Sequence, residues 1–193
     1  MGIIAAQGPV HGRALAGLLR EGDASIPEAV VTALLPLVTQ LEQLDGEIKE
    51  SDAAIAKLAK ADPVASALMS IPGIGPVTAS ALVASVGDPS SFSGPRQFAA
   101  FLGLVPRQNS SGGKPRLGRI SKMGNAYLRK LLVVGAHAVL FHRARHADPL
   151  RCWAQKLMET KPFKLVAVAI ANKLARIAFA VMTTGTSYRA AKA

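Results

Sequence analysis

Only one cysteine, Cys152, occurs in 193 residues. That excludes a disulfide framework and every cysteine-based zinc cluster, and it points to a reducing compartment. Charged residues are also sparse, 18% against 50% hydrophobic. With a mean hydropathy of +0.28, the chain has ample apolar material for a core, and disorder is excluded. The length suits one globular domain, alone or with an arm, and leaves no room for two full-sized catalytic domains. Two apolar stretches could suggest membrane insertion. Residues 131–141 are too few, and residues 165–182 are interrupted by Lys173 and Arg176, so both are expected as buried helices. The opening segment, MGIIAAQGPVHGRALAG, lacks the basic start and continuous apolar stretch of a secretory signal, so the expected location is cytoplasmic.

Acids are what residues 107–176 lack. That segment holds 15 Lys and Arg against 2 Asp and Glu, whereas residues 1–106 hold 6 against 10, within a total net charge of +11. A basic excess so concentrated, with an isoelectric point near 10.3, favours a polyanionic partner over a neutral one. DNA is the expected partner, and association with the nucleoid follows from it.

There is no strong strand run and no internal repeat, and the apolar periodicities are helical, so the fold class is expected to be all-α. Within residues 26–60, Leu37, Leu41, Leu44, Ile48, Ile55 and Leu58 follow a 4-3-4-7-3 spacing in which only Ser51 breaks the heptad seam. Glu42, Glu47, Lys49, Glu50 and Lys57 intervene. The spacing predicts a helical, coiled-coil-like arm over residues 1–61. It fits a homo-oligomer joined through the seam, and it also fits one amphipathic helix packed on its own domain. Asp62 followed by Pro63 ends that helix and starts another, since Asp caps well and Pro is tolerated at the first helical position. A compact helical domain is expected over residues 62–185, then a tail over 186–193.

Ile71-Pro72-Gly73-Ile74-Gly75-Pro76-Val77-Thr78 places a Gly-x-Gly turn between two short apolar helices, the pattern of a helix-hairpin-helix. Its glycines let the backbone turn tightly and leave N–H groups free where the helix dipole favours a phosphate. Gly73, Gly75 and Thr78 are therefore candidate nucleic-acid contacts that would grip backbone without reading sequence. The same residues also fit a plain αα-hairpin with a Gly-Pro turn, because no Lys or Arg lies within the motif.

Residues 95–102 read as a further short helix with Phe98 and Phe101 facing inward. Residues 106–125, PRQNSSGGKPRLGRISKMGN, are the one long polar stretch, longer than an idle connector. It is expected as a basic Ser/Gly loop facing phosphate. Ser110 and Ser111, beside Gly112 and Gly113 and flanked by Arg107, Lys114, Arg116 and Arg119, could meet a phosphodiester closely. A serine hydroxyl is a weak nucleophile, but these cations would stabilise charge on a transferring phosphoryl group. A flexible basic linker has the same composition. The Gly-x4-Gly-Lys-Ser/Thr order of a nucleotide-binding P-loop is missing. Further on, Asn125 is placed to cap a helix that carries Arg129 and Lys130 in its first turn. Together with Lys122 these could clamp a backbone phosphate or form a solvated basic face. His142 and His146 stand four apart, but Arg143 and Arg145 between them would repel a cation and no third ligand is evident, so no metal site is expected. Lys173 and Arg176 lie three apart on an apolar helix and would reach the surface or nucleic acid.

The order of these motifs, from IPGIGPVTASALVASVG through PRQNSSGGKPRLGRISKMGNAYLRKLLV, resembles the C-terminal domain of the insertion sequence one-ten family: DEDD-type, serine-dependent, bridge-RNA-guided transposases. The resemblance covers roughly residues 62–180. It implies DNA transposition and recombination, with a nucleophilic serine at Ser111 of the Ser-Gly motif and Ser110 as the alternative. It also implies a guide RNA as a partner. The family holds magnesium on Asp-Glu-Asp-Asp carboxylates of an N-terminal ribonuclease-H-like domain, and nothing in residues 1–60 resembles that domain. No cofactor is therefore expected in this chain, magnesium is expected only with that domain, and the isolated chain is expected to be inactive. A non-catalytic nucleic-acid-binding remnant and a helical assembly domain are the alternatives.

Overall fold

The computed structural model describes residues 6–22, 25–110, 114, 116–143 and 148–189. Among them are eight α-helices, one 3₁₀ turn and one two-stranded sheet, which is the expected all-α class. The chain divides into two compact units, residues 1–53 and 54–193, and the division falls inside a helix.

The first unit contains α1 (Pro9–Glu21) and the leading part of α2 (Glu28–Ala61). Gly22, with φ of 74°, ends α1 in the left-handed conformation and returns its N–H to the Leu18 carbonyl. Two arginines of α1 grip α2. Arg13 donates to both Asp45 oxygens at 2.7 and 2.8 Å, and Arg20 donates to Glu42 at 2.6 Å and to Thr39 at 3.1 Å. The partner number falls as the arginine number rises, so the helices run antiparallel. The hydrogen bond from Arg13 holds the Asp45 carboxyl below the usual carboxylate range. Such exposed pairs orient helices more than they stabilise them. Ala16 and Val38 are buried, whereas Leu37, Leu41, Leu44 and Ile48 stay between 40% and 61% exposed, which leaves the heptad seam open to solvent.

The second unit is built around α8 (Phe163–Thr184). It also contains α3 (Pro63–Leu68), α4 (Pro76–Val86), the 3₁₀ turn Pro89–Ser91, α5 (Pro95–Phe101), β1 (Pro106–Gln108), β2 (Leu117–Ile120), α6 (Ala126–Phe141) and α7 (Pro149–Met158). Local chemistry sets the helix starts. Asp62, Asn125 and Asp148 accept the N–H groups of Ala65, Leu128 and Arg151 at 2.8, 3.0 and 3.0 Å. Among the described residues α8 is the one helix long and apolar enough to cross a bilayer. It is instead the centre of the core, with α3, α5, α6 and α7 packed on it and Val166, Ile170, Leu174 and Ala178 buried. α6 buries Leu132, Ala136, Val139 and Leu140. Both apolar runs are buried helices, as expected; for α8 the packing of its neighbours decides this, since its length and composition also suit a membrane span.

Two expectations need correction. Phe98 is fully buried, but Phe101 is 39% exposed and meets Phe92 at a ring separation of 5.2 Å on the rim of the core. A seven-residue helix has one buried face, and Phe98 occupies it. The polar stretch after residue 105 is not loop throughout, since β1 and β2 pair within it. These strands are three and four residues long and almost wholly exposed, so no alternation of apolar residues betrays them, and their pairing is carried by backbone hydrogen bonds.

The turn between α3 and α4 is set by a close backbone approach. Gly73 has φ of 86°, and a Cβ added there would lie 2.6 Å from the Gly135 carbonyl oxygen. A Cβ on Gly135 would lie 2.1 Å from the Gly73 oxygen. Gly75, in extended conformation at φ of −95°, has nothing within 4 Å of that position. Gly73→Ala and Gly135→Ala are therefore expected to destabilise the protein by about 1–3 kcal/mol each, and Gly75→Ala by less than about 0.5 kcal/mol. Thermal unfolding followed by circular dichroism measures this, and equal losses at all three positions would contradict the packing account.

Candidate nucleic-acid interface

β1 and β2 pair antiparallel, Pro106 opposite Ile120 and Gln108 opposite Leu117, with an irregularity between the two pairs. The pairing continues past the strands, as the Asn109 N–H donates to the Arg116 carbonyl at 2.8 Å and the Ser121 N–H to the Val105 carbonyl at 2.9 Å. This ribbon carries Arg107, Arg116 and Arg119, with Lys114 near its tip, and all four are exposed. Residues 89–147 contain no Asp or Glu. Among the described residues the ion pairs are Arg13 with Asp45, Arg20 with Glu42 and Arg151 with Asp148, none of them on the ribbon. No carboxylate among the described residues pairs with the ribbon's cations.

The base of the ribbon is clasped to the end of α5. The Lys122 N–H donates to the Gly103 carbonyl at 3.1 Å, and Lys122 itself takes φ of 56°, unusual for a residue with a side chain. Gly103 and Gly124 sit at φ of 67° and 84°. A Cβ on the first would lie 2.1 Å from the Met123 oxygen, and on the second 1.8 Å from the Phe101 oxygen. Arg129 completes the clasp, donating from Nη1 to the Leu102 carbonyl at 3.0 Å and more weakly to that of Met123 at 3.4 Å. Arg129 was expected among the phosphate-clamping cations, yet it is half-buried and spends one guanidinium nitrogen on two carbonyls. Its neighbour Lys130 is exposed, as is Lys122.

Ser111, Gly112 and Gly113 lie outside the described residues, as does His146. Ser110 is described: it is exposed at the end of the ribbon, where its hydroxyl oxygen accepts the Arg116 N–H at 3.1 Å. Gly75 is exposed and caps α4, but Gly73 is held against Gly135 and Thr78 is buried, at 7% exposure. Of the three hairpin residues, only Gly75 offers backbone to a ligand. The ribbon brings Arg107, Lys114, Arg116 and Arg119 together. Arg119 and Lys122 also border a cleft against α8. His142 is exposed just past the end of α6, and no group of three or more His, Cys, Asp or Glu able to hold a metal occurs among the described residues.

Gly103 and Gly124, which fix the ribbon's base, are absent from the sequence reading. Their only signal is a glycine directly after a helical run, in FLGL, and another ahead of a capping asparagine, in MGNA. Lys164, which joins Arg119 and Lys122 at the cleft, is visible in the sequence only as one more cation of the basic segment.

Residues 65–151 match the model of the Transposase IS116/IS110/IS902 family. A "Probable family 20 transposase" of Pseudomonas aeruginosa is 44% identical over 86% of this chain and 49% of its own length. A "Putative transposase y4pF/y4sB" of Sinorhizobium fredii is 42% identical over 99% of this chain and 49% of its own. The "Transposase for insertion sequence element IS1111A" of Coxiella burnetii is 42% identical over 79% of this chain and 42% of its own. This chain spans about half the length of the curated relatives it matches. The motif order, the family match over residues 65–151 and relatives at this identity agree in what the second unit is similar to: the domain of the Transposase IS116/IS110/IS902 family.

Proposed function

We propose that this chain is the DNA-binding and serine-bearing part of an insertion-sequence transposase. The observation that carries the reading is the cationic ribbon, which brings Arg107, Lys114, Arg116 and Arg119 together in a segment, residues 89–147, that contains no Asp or Glu. Such a ribbon binds duplex phosphates without reading bases. The start of α4 at Gly75 supplies a second backbone contact through free helix N–H groups. Ser111 is the nucleophile and Ser110 its alternative. The serine Oγ–P bond forms, the P–O bond to the departing deoxyribose oxygen breaks, and the hydroxyl proton leaves to a base. Cations on the ribbon stabilise the charge on phosphorus, but they cannot readily accept the proton. In this reading the carboxylates that would hold magnesium, and the base, are supplied by the ribonuclease-H-like domain that the resemblance implies. A guide RNA is a further polyanion for the same basic surface. The open seam of α2 joins copies of the chain. The place of action is the nucleoid in the cytoplasm.

Duplex binding is expected to be steeply salt-dependent, because each neutralised phosphate releases a counterion. Affinity should fall by about a hundredfold between about 50 and about 200 mM salt for some four contacts, roughly. Arg107→Glu with Arg116→Glu should weaken binding to all sequences alike. Fluorescence polarisation with unrelated duplexes measures it, and salt-independent binding would remove the reading.

With a ribonuclease-H-like domain joined to it, the protein should form a covalent adduct with DNA. Ser111→Ala should abolish that adduct while duplex affinity changes by less than about twofold, since one hydroxyl adds little to a charge-dominated interface. An adduct that survives Ser111→Ala and is lost in Ser110→Ala would move the nucleophile by one residue.

Sedimentation at tens of micromolar should report a dimer or larger. Leu41→Asp with Leu44→Asp should give a monomer, because each places a charge in the seam. A monomeric unmutated chain would leave the seam unpartnered.

A further inference from the structure

Between β2 and α8 lies a cleft of about 1620 Å³, walled by Arg119 and Lys122 on the ribbon side and by Lys164, Lys173 and Arg176 of α8. Among the described residues, no Asp or Glu lines it. Its floor is apolar, with Leu165, Val168, Ala169 and Ile177 of α8. Trp153 of α7 also lines it, half-buried, with the Lys173 ammonium 4.3 Å from the ring centroid. The cations ask for a polyanion and the floor asks for flat apolar surface. Duplex DNA meets only the first demand, because its bases are stacked inside and its outside is sugar and phosphate. An unpaired strand meets both, with phosphates for the lysines and arginines and base faces for the floor and the tryptophan.

We propose that this cleft holds an unpaired DNA strand, with Lys164, Lys173 and Arg176 on its phosphates and the α8 floor under its bases. This rests on the DNA-binding reading above and extends it to residues that the ribbon does not contain. Asn172, Thr184, Thr186 and Ser187 also line the cleft and could meet a 2′-hydroxyl, so the choice of DNA over RNA is taken from the DNA-binding reading above. Lys164 and Arg176 are exposed, so they are available without any rearrangement of the fold.

Trp153 is the only tryptophan of the chain and stands in the wall of the cleft, which makes its emission a local probe. Titration of the full chain with an oligothymidylate of about a dozen nucleotides should change that emission saturably, whereas a dye-labelled duplex of the same length should bind by polarisation without that change. Lys164→Glu with Arg176→Glu should weaken strand binding by about tenfold or more and leave duplex binding within about threefold, while Arg107→Glu with Arg116→Glu should do the reverse. Circular dichroism melts of both double variants establish that they fold. If one misfolds, Lys164→Gln with Arg176→Gln replaces it, with the same direction expected. Duplex binding without strand binding, or strand binding indifferent to Lys164 and Arg176, overturns the cleft assignment alone. Failure of both ligands overturns the nucleic-acid reading itself. Tighter binding of an oligouridylate overturns the choice of DNA. An acidic amphipathic peptide that changes the Trp153 emission where the oligothymidylate does not turns the cleft into a protein-docking site.

Discussion

Burial of α8 is the constraint on which the second unit depends. A helix with so few charges must be covered over most of its circumference, and α3, α5, α6 and α7 do so. Each Leu or Ile fully removed from water along it contributes about 1.5–3 kcal/mol, and Ile170 and Leu174 are fully buried. No hydrogen bond on the surface of the molecule approaches that sum. The covering is incomplete along one side, where Lys164, Lys173 and Arg176 keep their charges near water, and that side is the wall of the cleft. One helix thus serves as both the centre of the core and one side of a cationic cleft.

The ribbon obeys a different rule. It buries almost nothing, so it depends on the clasp at its base, where the backbone of residues 121–124 runs against the end of α5. Only glycine fits at 103 and 124, because a methyl group at either would strike a carbonyl oxygen. Arg129 closes the clasp from the first turn of α6. Its charge is therefore tied into the frame that holds the other cations in place. The acids lie elsewhere in the sequence: in the arm, at Glu159 after α7, and at the capping positions Asp62, Asp88 and Asp148, where each of these three accepts a backbone N–H.

A short Gly-x-Gly turn can pack against a neighbour or leave a helix start open, and here the two glycines differ in this. Gly73 gives up its side chain so that α6 can approach the turn, and Gly75 leaves open the space in front of α4. The Gly-x-Gly spacing is the same in a phosphate-gripping hairpin and in a packing hairpin, since both need a sharp turn ahead of a helix start. Burial of Thr78 and the position of Gly135 separate the two uses.

Much of this was legible without coordinates. Helix starts at Asp62 and Asn125 were readable because capping depends on a few neighbouring residues. The burial of the first apolar run followed from its length, whereas that of the second, long and apolar enough to span a bilayer, was decided by the helices packed on it. The family was readable from motif order, and the concentration of positive charge from counting. Ser111 as nucleophile rests on the motif alone, since the residue lies outside the described part of the structure. What stayed hidden was whatever depends on partners distant in the chain. The ribbon is held by backbone pairing that has no side-chain period, Arg129 serves carbonyls 27 and 6 residues away, and Gly73 meets Gly135 across 62 positions. The cleft joins β2 and α8, separated by more than 40 residues, roughly, and made neighbours by the helices between them. Composition and spacing therefore determined the helical class, the caps and the sign of the surface, because those are local or additive properties. Which cations are free and which are built into the frame was decided only by the tertiary packing, because a guanidinium is committed by the carbonyls it meets in space.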